Sequence, residues 1–493
     1  MRRGGTAMAW RWKLALVLLA SCSPRARTPI ASEGPSPSSA APEAPSEAAI
    51  APSASPPAAP STSASTSPPR AASPGLVVLR GEHRVFEAPR WKSDVIGVLR
   101  AGQHVPLRSP DPYVAPDAER CAGGWSQVAP RGFVCVDANV TRDPEHPEAR
   151  AAREVLPRDV AAPYRYGRAL GSARYRRLPD RAAVASPTKR PLPDSAASEA
   201  LPVASDALVA FFAERDGPLT DPVNAYPGMK LAFARRFDRN GQRWLVTHNL
   251  LLLPAEAVDL APDPAPRPVA FDDVPLPLAK VLTETTRLDD QGRALPGAAK
   301  LSSGSLVALA DPPIAWRGGQ SLVLLADGGA LANRDVSVFV RRPPPRAAAP
   351  GQKWVHVSVM QGALIAYQGD EPLFGAVISP GLHGVTQDAE LRSPPGLYRV
   401  NAKWRTSDMG GRAGQGSYVT RAVPWVAYYD GSYALHGAWW HDAFGHPRSH
   451  GCINLTPADA KHLFDWLDPT LPEGWHAVRA DHAHLGTLVW VTP

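Results

Sequence analysis

The chain has 493 residues, a net charge of +7 and 55 prolines, many of them crowded before residue 75. The length exceeds one domain and leaves room for about three. The excess charge comes without a run of five or six basic residues and without a glycine-rich phosphate loop, which argues against a nucleic-acid binder and leaves a diffuse affinity for anionic polymers open.

In chain order, Arg2, Arg3, Arg11 and Lys13 precede a short apolar run from Leu14 to Ala20, well below the ~20 residues of a membrane span. The run ends in Leu19-Ala20-Ser21-Cys22, which resembles a bacterial lipobox. The resemblance implies a lipoprotein signal peptide over 1–22 with Cys22 as the lipidated residue. With Ser23 rather than Asp in the next position, it implies an outer-membrane anchor facing the periplasm. A plain secretory leader with an incidental cysteine is the alternative. Residues 23–75 are mostly Pro, Ala and Ser, too poor in large apolar side chains to offset the entropy of ordering. They read as a disordered tether, which at about 3.1 Å per residue reaches on the order of 100 Å.

Order begins near Leu76. Short β-rich runs follow at Val77–Leu79, Arg84–Phe86, Val95–Leu99 and Gly132–Val136, separated by Gly, Pro and Asp turns. The stretch Cys121-Ala122-Gly123-Gly124-Trp125, then Gly132-Phe133-Val134-Cys135, resembles bacterial SH3-like domains, and 76–141 is read as one. The resemblance implies either a cell-wall peptide binder or a purely structural barrel. Four cysteines are present. With Cys22 assigned to lipid and the protein exported, Cys121 and Cys135 are expected to form a disulfide, closing a loop worth ~3 kcal/mol. Cys452 is then the one cysteine left over.

Residues 150–345 are the least informative. Tyr164 to Pro179 reads as a linker or small cap. Leu231–Ala234 and Arg243–Thr247 alternate like strands and suggest a second SH3-like unit. Residues 270–340 suggest a further β-rich unit, and Arg342-Pro343-Pro344-Pro345 a linker. The last domain, 352–493, opens on Lys353–Val359, whose Val355, Val357 and Val359 share one strand face. Further strands are expected at Ala363–Tyr367, Phe374–Ser379, Gly396–Val400, Val423–Tyr429 and Thr487–Val491. One helix is clear: Thr456 caps it, Pro457 fits its first position, Asp459 suits its positive end, and Ala460, Leu463, Phe464 and Leu467 form its buried face.

The chemistry lies just before that helix, in Leu435-His436-Gly437 and Ser449-His450-Gly451-Cys452-Ile453-Asn454. A thiol is nucleophilic as thiolate, and a free cysteine with a pKa of about 8.5 is mostly protonated at neutral pH. A histidine beside it accepts the proton, and His436 and His450 both qualify. His436, His441, His446 and His450 lack metal-ligand spacing, and Pro447 breaks a helix between them, so no metal or cofactor is expected.

These two motifs, sixteen residues apart from His436 to Cys452, resemble the L,D-transpeptidase (YkuD-type) signature. Gln361, Val377–Gly381, Asp408-Met409, Val423-Pro424-Trp425 and Asp459-Ala460 extend the resemblance from Trp354 to the C-terminus. Ser393-Pro394-Pro395-Gly396 departs from the family's Thr-Pro-x-Gly turn. The resemblance implies Cys452 as nucleophile on a meso-diaminopimelate carbonyl and His436 as proton acceptor, its ring oriented by the Gly437 carbonyl. It implies an oxyanion held by the N–H groups of Gly451 and Cys452 and by Tyr418. Ser449 and His450 then shape the pocket and Asn454 holds the loop. The partners implied are peptidoglycan stem peptides.

The fold class expected is mainly β and multidomain: SH3-like β-barrel modules followed by a β-rich catalytic domain with few helices. Three functions remain in play: a transpeptidase, an L,D-carboxypeptidase or cross-link amidase of the same fold, and a non-catalytic wall-binding lipoprotein.

Overall fold

The computed structural model describes residues 74–111, 113, 121, 123–180, 198–269, 271, 274–382, 391–413 and 416–493. Cys22 and the Pro/Ala/Ser stretch before residue 74 lie outside them. The described chain is mainly β, with helices at Pro147–Glu154, Asp206–Glu214 and Pro457–Trp466.

The C-terminal region, 352–493, is organised around two sheets. One runs in the order Pro268–Val269, Glu371–Val377, Ala363–Gln368, Lys353–Ser358, Leu488–Thr492, Gly396–Arg399. Its first and last C-terminal-region strands lie side by side in parallel, Trp354 opposite Leu488 and Val357 opposite Val491. The expected face of Val355, Val357 and Val359 is buried and meets Trp425, Ala427, Leu435, Ile453 and Leu455 of the second sheet. The helix Pro457–Trp466 adds Ala460, Leu463 and Phe464 to this core. Its start is built as its residues dictate: Thr456 Oγ1 accepts from the Asp459 N–H at 3.1 Å and Pro457 fills the first turn.

The second sheet is centred on a long hairpin, Ala402–Ala413 with Gly416–Asp430, and both of its sides continue into other parts of the chain. On one side Ala477–Arg479 pairs with Ala402–Trp404, and then with Val95–Arg100 near the N-terminus. On the other, Thr420 bridges Lys230 at the start of the strand Lys230–Arg239. One hydrogen-bonded sheet therefore runs through the N-terminal, middle and C-terminal regions.

In the N-terminal region, Gly75–Val78 lies between His104–Pro106 and Val140–Thr141. Cys121 and Cys135 are joined by a disulfide and pack on Phe86 and Trp125. The segment read as a linker or cap after Tyr164 is instead a strand, Arg165–Ala169, paired with both Lys230–Arg239 and Val258–Leu260. Its alternation is masked by arginines at 165 and 168, of which Arg168 is exposed and Arg165 only partly so, while Tyr166 is buried. The pair Leu231–Ala234 and Arg243–Thr247 forms a hairpin, but one absorbed into the long sheet. Residues 278–339 form a five-stranded sheet with its own core of Ala279, Val281, Val323, Leu331 and Val338.

Candidate active site

His436 sits on the strand Tyr433–Gly437, which turns back from the long hairpin through Gly431 in the left-handed region (φ 53°). On its other side this strand pairs in parallel with Ile453–Leu455, in the register Leu435 to Ile453, His436 to Asn454 and Gly437 to Leu455. Residues opposite one another in such a ladder share a face, and alternation has period two. Cys452, two positions before Asn454, therefore falls on the His436 face. Trp440 joins them: its ring lies 5.8 Å from that of His436 and packs in the cluster that includes Cys452.

His436 is buried, and its Nδ1 lies 3.1 Å from the Gly437 carbonyl. With Nδ1–H donating there, Nε2 carries the lone pair. Burial pushes the ring down to about 4, with the Gly437 bond opposing and His441 adding slightly. At neutral pH it is an uncharged base. The Cys452 thiol is part-exposed, with Sγ 3.6 Å from the Ser432 carbonyl.

The loop ahead of Cys452 is held by several bonds. Ser449 Oγ donates to the Cys452 carbonyl and accepts from the Gly451 N–H at 3.1 Å. The Gly451 N–H, a candidate oxyanion donor by resemblance, is thus engaged within the loop. Gly451 adopts φ 113°, and a Cβ there would stand 2.3 Å from the Tyr433 ring, so only glycine fits. Asn454 pairs through its backbone with Ser379 at 2.8 and 2.9 Å, and its Nδ2 donates to His441 Nε2 at 3.0 Å. His450 is exposed and its ring stacks on Tyr418, centroids 5.0 Å apart. The structure thus brings Cys452, His436, Gly437, Ser449, Gly451 and Asn454 into one ladder and its loop, and sets the Tyr418–His450 pair beside it.

Four contributors are invisible in the motif. Ser393, fully buried, accepts from the Gly381 N–H and donates to the Gly451 carbonyl, both at 2.9 Å, tying the nucleophile loop to the neighbouring strand end. The departure from Thr is therefore one of a methyl group, with the hydroxyl retained. Trp440 and His441 line the His436 side. Lys230, more than two hundred residues earlier, places its ammonium 5.6 Å from the Tyr418 ring centre and 5.3 Å from that of Trp440. The Thr-for-Ser correspondence was a readable signal for Ser393; nothing local marks Lys230.

Residues 352–491 match the family model of the YkuD L,D-transpeptidase catalytic domain. Solved structures similar to the chain include an L,D-transpeptidase from Xylanimonas cellulosilytica, at 23% identity and TM-score 0.21, covering 31% of this chain and 64% of that one. Another, from Stackebrandtia nassauensis, has 20% identity and TM-score 0.21, covering 29% and 57%. The catalytic domain of an L,D-transpeptidase from E. faecium has 20% identity and TM-score 0.23, covering 29% of this chain and all of that one. The chain therefore spans less than two thirds of the first two. No curated protein matches it.

Proposed function

We propose that the protein is a peptidoglycan L,D-transpeptidase that works through Cys452. The observation that supports this reading is the parallel pairing of His436 with Asn454, two residues after Cys452, together with the burial of His436 and the anchoring of its Nδ1. His436 is preferred to His450 as the proton acceptor because its ring is buried and anchored through Nδ1, whereas the His450 ring is exposed and stacked on Tyr418. In the first step His436 Nε2 takes the thiol proton and Sγ attacks the meso-diaminopimelate carbonyl. The C–S bond forms, the C–N bond to the terminal D-Ala breaks, and the proton passes from His436 to the departing amine. In the second step an amine of a neighbouring stem attacks the thioester, gives its proton to His436 and releases the thiolate. Neutral His436 and the thiol are regenerated, so the cycle needs no redox partner.

Lipidation at Cys22 would hold this chemistry at the envelope, with 23–75 as the tether and 76–141, if SH3-like, as a wall-peptide contact. The test is incubation of the purified protein with sacculi, followed by mass spectrometry of the muropeptides. Diaminopimelate-to-diaminopimelate dimers that disappear in Cys452→Ala are expected, together with a carbapenem adduct on Cys452. Free tripeptide without dimer would make the enzyme a hydrolase, and no adduct and no product would remove the catalytic reading.

A further inference from the structure

Lys230 begins the strand that joins the middle region to the catalytic hairpin, through its bridge to Thr420. Its ammonium lies over two rings at once. Tyr418 is stacked on His450, and Trp440 lies against His436 and packs with Cys452. The middle region therefore sets a positive charge one aromatic ring away from both histidines of the site. Its antiparallel partner across the strand pair is Arg168. The Arg168 guanidinium is itself fixed to the site by donating to the Trp440 carbonyl at 2.9 Å.

Two like charges directly opposite each other in a sheet are unfavourable. A half-buried ammonium without an acidic neighbour adds to that cost, and aromatic faces offset it only in part. Among the described residues no carboxylate compensates Lys230: burial and then Arg168 push its pKa down, with nothing raising it. Asp259 stands opposite Arg168 on the far strand, exposed like Arg168 and one strand further from Lys230. The Lys230 charge is felt at the site, where it adds to burial in lowering His450. A cation held this way, beside the reacting groups and facing aromatic walls, is arranged for an anion that arrives with the substrate.

We propose that Lys230, supported by Arg168, is a carboxylate-binding subsite that the middle region donates to the Cys452 site, and that it orients an acidic peptide substrate. The choice of a peptide rests on the function proposed above; the anion preference rests on the two cations. Lys230 is on this view a positioning and specificity residue, with no part in moving the thiol proton.

The test separates binding from chemistry. Affinity is measured by calorimetry on the full chain carrying Cys452→Ser, with the tetrapeptide L-Ala-γ-D-Glu-meso-diaminopimelate-D-Ala as probe. The same peptide amidated at one carboxylate at a time, and at all of them, provides the comparison. Lys230→Met is expected to weaken the acidic peptide by about tenfold and to leave the fully amidated one unchanged. Lys230→Arg is expected to restore most of the affinity, and the singly amidated peptide that no longer distinguishes parent from Lys230→Met identifies the carboxylate bound. Raising salt should narrow the difference. Equal affinity in parent and Lys230→Met, an equal loss on acidic and amidated peptides, or no binding by the parent would each overturn the proposal. Thioester formation is read separately on the protein with Cys452 intact. A chain that binds acidic peptide through Lys230 yet forms no thioester keeps the subsite and loses the transpeptidase reading.

Discussion

At the scale of the residue, the site turns on the state of one imidazole. A histidine in water titrates near 6.5, but burial carries His436 down to about 4. The neutral form, which can accept the thiol proton, is present above that value and is lost as pH falls through it. The acid limb of kcat/KM for acylation is therefore expected near pH 4, and a limb at 6.5 would show that the base is a solvated histidine and not His436. His436→Gln should lower the acylation rate by about 10²- to 10⁴-fold, the usual contribution of a positioned base. Alkylation of Cys452 by iodoacetamide at alkaline pH should persist in that variant, since hydroxide then supplies the thiolate. Loss of both reactivities would mean that the substitution disordered the loop.

At the scale of the element, the loop ahead of Cys452 is fastened within itself by Ser449 and to its neighbour by Ser393, which bonds Gly381 and Gly451 together. Ser393→Ala would strand a buried N–H and a buried carbonyl. A loss of about 1–3 kcal/mol in stability is expected, along with slower acylation. Ser393→Thr keeps the hydroxyl and should retain both; denaturant unfolding of the three proteins decides it. The helix Pro457–Trp466 was legible in the sequence because its signals are local: a capping Thr456, Pro457 in the first turn and an apolar period of 3.6. The Cys452–His436 pairing was legible only through its motif, because the register that sets Tyr433–Gly437 beside Ile453–Leu455 is encoded by no periodicity. The strand Arg165–Ala169 and the position of Lys230 were not legible. An arginine at a strand rim reads as loop, and a single lysine gives no hint of the sheet that will carry it across to another region.

At the scale of the whole molecule, the interior is unusually rich in histidine. Burial pushes His356, His436 and His441 down to about 4 and His248 to about 3, and holds His476 well below the usual histidine range. Between 6.5 and 4 the unfolded chain binds protons that the folded chain refuses, so stability rises with pH across that window and is lost as pH falls through it. Each such histidine contributes on the order of 3 kcal/mol to the loss by pH 4. Buried Lys403, pushed down to about 7, extends the same sign from pH 7 towards 10. The melting temperature should thus climb from pH 4 to 6.5, steeply, and continue upward into mildly alkaline solution. A melting temperature flat between pH 4 and 6.5 would mean that these rings are solvated.

The sheet that runs from Val95–Arg100 through Ala477–Arg479 and the long hairpin to Lys230–Arg239 has a consequence for modularity. The segment 352–491 is the part that matches a family, and families of this kind are thought of as interchangeable parts. Here that part has given up its borders. Trp475 is fully buried with its indole donating to the Ala129 carbonyl, and Trp425 donates to the carbonyl of Ala161. Cutting the chain to 352–493 would bare the Trp475 indole, leave the Trp425 N–H without its acceptor and open two strand edges to self-association. The excised piece should elute from size exclusion as aggregate where the chain from residue 74 elutes as a discrete species. In this protein the transplantable unit is the whole of 74–493, and the catalytic segment is a region of it that cannot be lent out.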